Sequence, residues 1–340
     1  MDDERDRWNQ TLLSTPASYF QYPYWNEPHR RLGFKPVYLK YGCGANASGY
    51  VCLLTIGRWP CRIGLVQQGP VSLEAGWQID SPSVRKLVAW ARQQGFMFFR
   101  FNHSDGAVLT TIESSGQSRR LDAFPLFAAR RHAILVELRD SADEMLASFS
   151  RNARRNINSA RDVGYEITVT DQPPALAEVW PLLIKLEQRK GIHFHRPLDY
   201  WQEVVQRAAP QACAWLYTAS LDGKPAQFVL VLRTRDMAEY CLGAVDLDSI
   251  GDRPSPSALV QWLAMRAMLS QGCRLYNLGN AWGDHLEFKK RFHPSVRVDD
   301  MPVTVVVKPL LTFLWCVIVL RCLFPLWPKV KELLRRFRRA

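Results

Sequence analysis

The sequence predicts a mixed α/β protein: two similar domains in tandem, then an apolar C-terminal helix. Three observations carry this. Short alternating apolar runs, punctuated by Gly and Pro, are interrupted by longer segments of helical period. The order strands, helix, strand occurs twice, and each helix is introduced by Ser-Pro-Ser and ended by Gln-Gly. A chain of 340 residues, 47% of them hydrophobic, is long enough for two cores and is not a disordered composition.

In the first series, "KPVYLKYG", "GYVCLLTIG" and "CRIGLVQQGPV" read as strands. "SPSVRKLVAWARQQG" reads as a helix with Ser81 as cap, Pro82 in the first turn and Gly95 past its end, and "FMFFRFN" as a buried strand. In the second series, "CAWLYTASLDGKPAQFVLVLR" reads as a hairpin turning at Asp222-Gly223, "MAEYCLGAV" as a third strand, "SPSALVQWLAMRAMLSQG" as a helix and "CRLYNLG" as the closing strand. Aligning Gly95 with Gly272 superposes the two series, which suggests a duplicated unit with a cleft where the copies meet. Between them, residues 141–164 read as one helix capped by Ser141, with Glu144 three residues on. Leu146, Phe149, Ala153, Ile157 and Ala160 form its apolar stripe, and Arg151, Arg154, Arg155 and Arg161 stay off it. That basic face is either simply solvated or a phosphate-binding surface. The expected domains are 1–165 and 166–308, with 309–340 as a hydrophobic segment and basic tail.

Charge narrows the class of partner. The formal net charge is +12, of which +5 lies in residues 329–340, so both tail and body favour anionic partners. The eight cysteines contain no CxxC, and the opening "MDDERDRWNQ" lacks the apolar run of a secretory signal, which together suggest a reducing, cytoplasmic setting. Cys43, Cys52 and Cys61 are evenly spaced, but read as small buried hydrophobes. Residues 310–327 carry one charge, Arg321, and at 1.5 Å per residue span about 27 Å, marginal against a hydrocarbon core of about 30 Å. Arg321 and Pro325 favour a helix lying in or dipping into the interface, over a true span or packing on the protein's own body. The body would then face the cytoplasmic side of the inner membrane.

The stretch "QRKGIHFHRPLDYW", residues 188–201, gathers Arg189, Lys190, His193, His195 and Arg196 beside Phe194, Tyr200 and Trp201. His193 and His195 do not make a metal site, because their neighbours are cationic and no carboxylate or thiol completes a ligand set. An exposed basic turn between helices and an anion grip both fit.

The chain resembles the Fem family of non-ribosomal peptidyl transferases, across roughly residues 8–300. The resemblance rests on "FQYPYW", "QQGPV", "RNARRNINSARDVG", "QRKGIHFHRPLDYW", "LYNLGN" and "LEFKKRF" in this order. No long insertion separates residues 164 and 190, as in members without a coiled-coil arm. The resemblance implies two acetyltransferase-like (GNAT) domains, aminoacyl-tRNA as co-substrate, no resident cofactor and a phosphate-bearing cell-envelope precursor as acceptor. It implies that Arg189 and Arg196, with Lys190, grip the acceptor's phosphate, and that Lys289 of "FKKRF" lies in the transfer cleft. An ammonium there steadies the oxyanion that forms as an amine attacks an ester. Phe288 and Phe292 read as core, Lys290 and Arg291 as facing solvent or the tRNA acceptor arm. His285 is a candidate base, as more distantly are Asp246 and Asp248. Arg154 and Arg155 are candidate phosphate ligands, and the helix start at Ser257 can receive an anion.

The donor is the open choice. Acetyltransferases that use coenzyme A usually carry a Gln/Arg-x-x-Gly-x-Gly/Ala loop before this helix, and "DSIGDRPSPSALVQW" lacks it, Pro254 and Pro256 each removing an amide donor. Asn277 and Asn280 stand where relatives commonly show an acidic residue and a second glycine. The leading expectation is aminoacyl transfer to an amine of a peptidoglycan or lipid-linked envelope precursor. The alternatives are an acyl-CoA-dependent N-acyltransferase and a non-catalytic module binding RNA or anionic membrane.

Overall fold

A computed structural model describes residues 2–41, 49–73, 79–115, 118–119, 131–191, 196–280, 284–294 and 296–318. The chain begins with α1 (Asp2–Leu13) and, after a short 3-10 turn, α2 (Pro23–Asn26). The first series follows as β1 (Lys35–Tyr41), β2 (Gly49–Ile56), β3 (Arg62–Gln67), β4 (Val71–Ser72), α3 (Ser81–Gln93) and β5 (Phe96–His103). Next come α4 (Gly106–Ser114), β6 (Ser118–Arg119), β7 (Arg131–Glu137), α5 (Ala142–Ser148), α6 (Arg151–Asp162), β8 (Glu166–Thr170), α7 (Ala175–Lys190) and α8 (Leu198–Ala208). The second series is β9 (Ala214–Leu221), β10 (Lys224–Arg233), β11 (Met237–Val245), α9 (Leu247–Ile250), α10 (Ser257–Ser270) and β12 (Leu275–Asn280). The described chain closes with α11 (Asp284–Lys290), β13 (Val296–Val306) and α12 (Pro309–Ile318).

The duplication is present in backbone terms. Gly95 and Gly272 follow equivalent helices, with φ of 78° and 82°, and each leads into a strand parallel to the one before the helix. The hairpin turns at Asp222 and Gly223, both at positive φ as a tight primed turn requires. The helix over 81–93 is capped by Asp80 rather than Ser81, because the Asp80 carboxylate accepts from Ser83 N at 2.8 Å.

The two halves exchange strands. Hydrogen-bonded order runs β1-β2-β3-β5-β13-β7-β12-β11-β10-β9-β8. The C-terminal part of β13, Met301–Val306, pairs with β5, and its N-terminal part, Val296–Asp300, pairs with β7. β7 also pairs with β12. Residues 131–162, grouped with the first domain by the sequence, thus hydrogen-bond and pack with the second half, while the end of β13 returns to the first. On the second half's sheet, Tyr217, Ala219, Val229 and Val231 face α5, α6 and α10 in one core. The alternate residues Leu216, Phe228, Leu230 and Leu232 face α7, α8 and the N-terminal segment in another.

That N-terminal segment contains "FQYPYW" and touches both halves. The Gln21 amide donates to Gln67 O at 2.6 Å and to Cys52 O at 3.3 Å, and its oxygen accepts from Cys52 N at 2.7 Å. Tyr24 Oη donates to Arg233 O at 3.0 Å on the other side. All of Tyr19–Asn26 is buried, so these polar groups need their partners inside the protein.

The predicted helix over 141–164 is two helices. Ser141 caps α5 through Glu144 N at 3.1 Å, and Phe149 is extended, with ψ 155°. Ser150 then caps α6 by accepting from Ala153 N at 3.2 Å. The break directs Phe149, 2% exposed, onto Phe292 with ring centroids 5.1 Å apart, and Ser150 N donates to Arg291 O at 2.9 Å. Both contacts fix the turn that follows α11. Phe149→Ala is expected to cost about 3–5 kcal/mol, the usual penalty for emptying a buried aromatic site, measured as a loss of unfolding free energy in urea.

Candidate active site

The two parallel strand pairs differ where it matters. In the first half β3 and β5 pair at six positions, Arg62↔Phe96 and, after a one-residue irregularity, Ile63↔Phe98 to Gln67↔Asn102. In the second, β11 and β12 pair only at Met237↔Leu275, Ala238↔Tyr276 and Glu239↔Asn277, and then part. A bulge displaces Cys241 between Leu230↔Leu242 and Val231↔Tyr240 on the other edge of β11. The splay opens into a cavity of about 730 Å³, bounded by β11, Leu278 and Gly279 of β12, Lys289 of α11, the end of α7 and Tyr19, Phe20 and Trp25 of the N-terminal segment.

The wall holds two buried ionisable side chains. Glu239 is 3% exposed and accepts from Tyr19 Oη at 2.9 Å and from Asn277 Nδ2 at 3.0 Å. The Asn277 oxygen accepts from Gly279 N at 2.7 Å. Gly279 has φ 72°, a conformation side-chain-bearing residues rarely adopt, and a Cβ there would stand 3.9 Å from Lys289 Nζ. Lys289 is 7% exposed and lines the same cavity. Burial pushes the neighbouring Tyr240 hydroxyl up to about 12, so it meets the cavity as a neutral donor.

Cations gather at the other end. Arg189 and Lys190, in the last turn of α7, and Arg196, just ahead of α8, all line the cavity. Arg196 is also a packing residue, with its guanidinium carbon 4.7 Å from the Trp25 ring centroid, 5.4 Å from Tyr200 and 5.9 Å from Trp201. His29 lies beneath this cluster, its Nδ1 2.9 Å from Trp25 O and therefore donating to it. Burial, then the Arg196 charge, lower the His29 pKa to about 4.

Ser257 opens into the same cavity, with Oγ donating to Gln227 at 3.0 Å. Five of the eight sequence-predicted site residues thus share one cavity: Arg189, Lys190, Arg196, Ser257 and Lys289. Arg154 and Arg155 do not line it. They sit exposed on α6, across the second half's sheet from α7, and Arg154 Nη1 donates to Ala147 O at 2.7 Å. Arg161 of the same helix stacks at 4.5 Å on Trp262. His285 belongs to α11, but its side chain lies outside the described residues, as do His193 and His195 entirely. Asp246 is committed to an ion pair with Lys185 at 2.6 Å. No cluster able to hold a metal occurs among the described residues. Sequence reasoning missed Glu239, Tyr19 and Gln227. The signal for Glu239 was a lone carboxylate in the apolar strand "MAEYCLGAV".

Residues 147–290 match the family described as Acetyltransferase (GNAT) domain. No curated protein matches the chain by sequence. Among solved structures, FemX superposes with a TM-score of 0.76 at 13% identity, covering 91% of this chain and 98% of its own. The C-terminal domain assigned to lysylphosphatidylglycerol synthetase from Agrobacterium fabrum gives 0.58 at 16% identity, over 94% and 96% of the two chains. A tandem GNAT protein from the clavulanic acid biosynthesis pathway gives 0.51 at 14% identity, over 90% and 95%. These likenesses establish the fold, which the chain shares with FemX and with a tandem GNAT protein.

His29 makes a pH prediction. Because its folded pKa is depressed, its neutral form supports stability above the unfolded value of 6.5, and that support is lost as pH falls toward about 4. Unfolding free energy measured against pH should therefore fall faster in the wild type than in His29→Asn across this window, by up to roughly 3 kcal/mol in total.

Proposed function

We propose that the cavity transfers an aminoacyl group from aminoacyl-tRNA to an amine on a phosphate-bearing cell-envelope precursor, at the cytoplasmic face of the inner membrane. The observation that carries this is the division of one cavity into a buried Lys289–Glu239 wall and a cationic mouth of Arg189, Lys190 and Arg196. An aminoacyl ester is already activated, so the protein's task is to orient two substrates and stabilise charge. As the acceptor nitrogen bonds to the ester carbon, the Lys289 ammonium faces the developing oxyanion. Glu239 takes the proton shed by that nitrogen, and the departing ribose oxygen receives it as the C–O bond breaks. Tyr19 and Asn277 hold the carboxylate in place throughout. The mouth suits a phosphate, for which guanidinium groups are well matched. Two structural relatives support the reading by their names, FemX and a synthetase whose product joins an amino acid to a phosphate-bearing lipid. Residues 309–340 would hold the enzyme on the anionic membrane where such acceptors reside.

One observation favours an acyl-CoA donor. Ser257 places the start of α10 in the same cavity, where the pyrophosphate of coenzyme A could meet backbone amides. Pro254 and Pro256 take two amide donors from the loop leading into it, which is why the tRNA donor is preferred. A non-catalytic binding module has no use for a buried lysine and a buried carboxylate in one cavity.

The test is transfer of label into envelope lipids and precursors from radiolabelled aminoacyl-tRNA, set against radiolabelled acyl-CoAs. Ribonuclease-sensitive labelling is expected, and labelling from acyl-CoA alone would reverse the choice of donor. Lys289→Met and Glu239→Gln should each lower kcat by about 10²-fold or more, and unchanged turnover in either removes that residue's assigned step. Arg189→Ala should raise KM for the acceptor without changing Tm. Arg196→Ala should raise KM and lower Tm together, because its cation–π contacts are worth about 1–2 kcal/mol.

A further inference from the structure

α12 is apolar on both faces, and only one of them packs on the body. Leu311 and Trp315 pack on Met97 and Phe98 of β5. Thr312, 4% exposed, donates to Met97 O at 3.0 Å. These contacts fix the helix on the first half. The opposite face carries Leu310, Phe313, Leu314 and Ile318, exposed by 70, 64, 46 and 55%. Their spacing of three, four and eight residues makes one continuous stripe. Beside the start of α12, Trp59 is 69% exposed, and Lys308 Nζ stands 5.7 Å from its ring centroid. Trp59 lies in the β2–β3 loop, resting on Gly95, where a Cβ would come within 2.3 Å of its ring. A tryptophan flanked by lysine, next to an outward apolar stripe, is the chemistry of a membrane interface.

We propose that the outward face of α12 and Trp59 form one docking surface for an anionic lipid bilayer, so that the folded body itself lies on the membrane. This does not depend on which group the cavity transfers. Two observations select a bilayer over other occupants. In sequence, the stripe is followed by residues 319–327, apolar but for Arg321, and then by six basic residues against Glu332, a composition that suits anionic headgroups. A second copy of so basic a chain, net charge +12, is a less favourable occupant than an anionic surface. Over its described residues α12 is docked on β5 through Leu311, Thr312 and Trp315. Among the described residues no helix is long and apolar enough to cross a membrane. On this proposal the stripe and Trp59 lie against the bilayer, with the first half held on it.

Co-sedimentation of the full chain with phosphatidylglycerol/phosphatidylcholine vesicles tests this. The double variant Phe313→Ser/Leu314→Ser should bind these vesicles about tenfold more weakly, and Trp59→Ala about threefold, each with unchanged Tm. Wild-type binding by both variants would overturn the proposal and leave the basic tail alone responsible. So would a dimer, seen without vesicles by analytical ultracentrifugation and lost in the double variant. Because vesicle binding is read without turnover, this result and the transfer assay fail independently.

Discussion

A carboxylate taken out of water must find hydrogen bonds inside the protein, and the burial of Glu239 sets much of the rest. Its two partners come from opposite directions, Tyr19 from the N-terminal segment and Asn277 from the neighbouring strand. Tyr19 reaches it only because the N-terminal segment is sewn between the halves, with Gln21 bonded to β2 and β3 and Tyr24 to the end of β10. Asn277 reaches it only because β11 and β12 remain paired at that rung and separate immediately afterwards. The carboxylate thus marks the place where the second half opens and the first half, through the N-terminal segment, closes over it.

The strand exchange has the same effect at larger scale. β7 leaves the first half to pair with β12, and β13 returns from the second to pair with β5. Neither sheet is complete without chain from the other. Relative movement of the halves would strain β13, which serves both, so a cleft built between them keeps its width. Phe149 and Ser150 add a further restraint by gripping the turn after Lys289 from the helix break.

Much of the fold was legible in the sequence because it rests on local signals. Hydrophobic period, the Asp222-Gly223 turn and the glycines after the two equivalent helices each follow from nearby residues. The cationic mouth and Lys289 were found through the resemblance to the Fem family. What escaped depends on distant partners. The break at Phe149 is dictated by Phe292, 143 positions later, and not by weak local helix preference. β7 and β13 pair across the whole chain. Glu239 looks like any polar residue of a half-buried strand until Tyr19, 220 positions away, is brought to it. Arg196 read as an anion ligand and turns out also to be the lid on an aromatic cluster, a second duty that its sequence neighbours Tyr200 and Trp201 hinted at and Trp25 completes.

The contrast between six paired rungs in β3–β5 and three in β11–β12 bears on how a duplicated enzyme divides its labour. In the first half the strands stay paired past the point where those of the second part, so no matching opening forms between β3 and β5. Recovering a second centre would require unpairing a parallel strand couple in the middle of a sheet that also supports β13 and α12. One copy has in effect become a permanent chassis, and the commitment is written in the register of its strands.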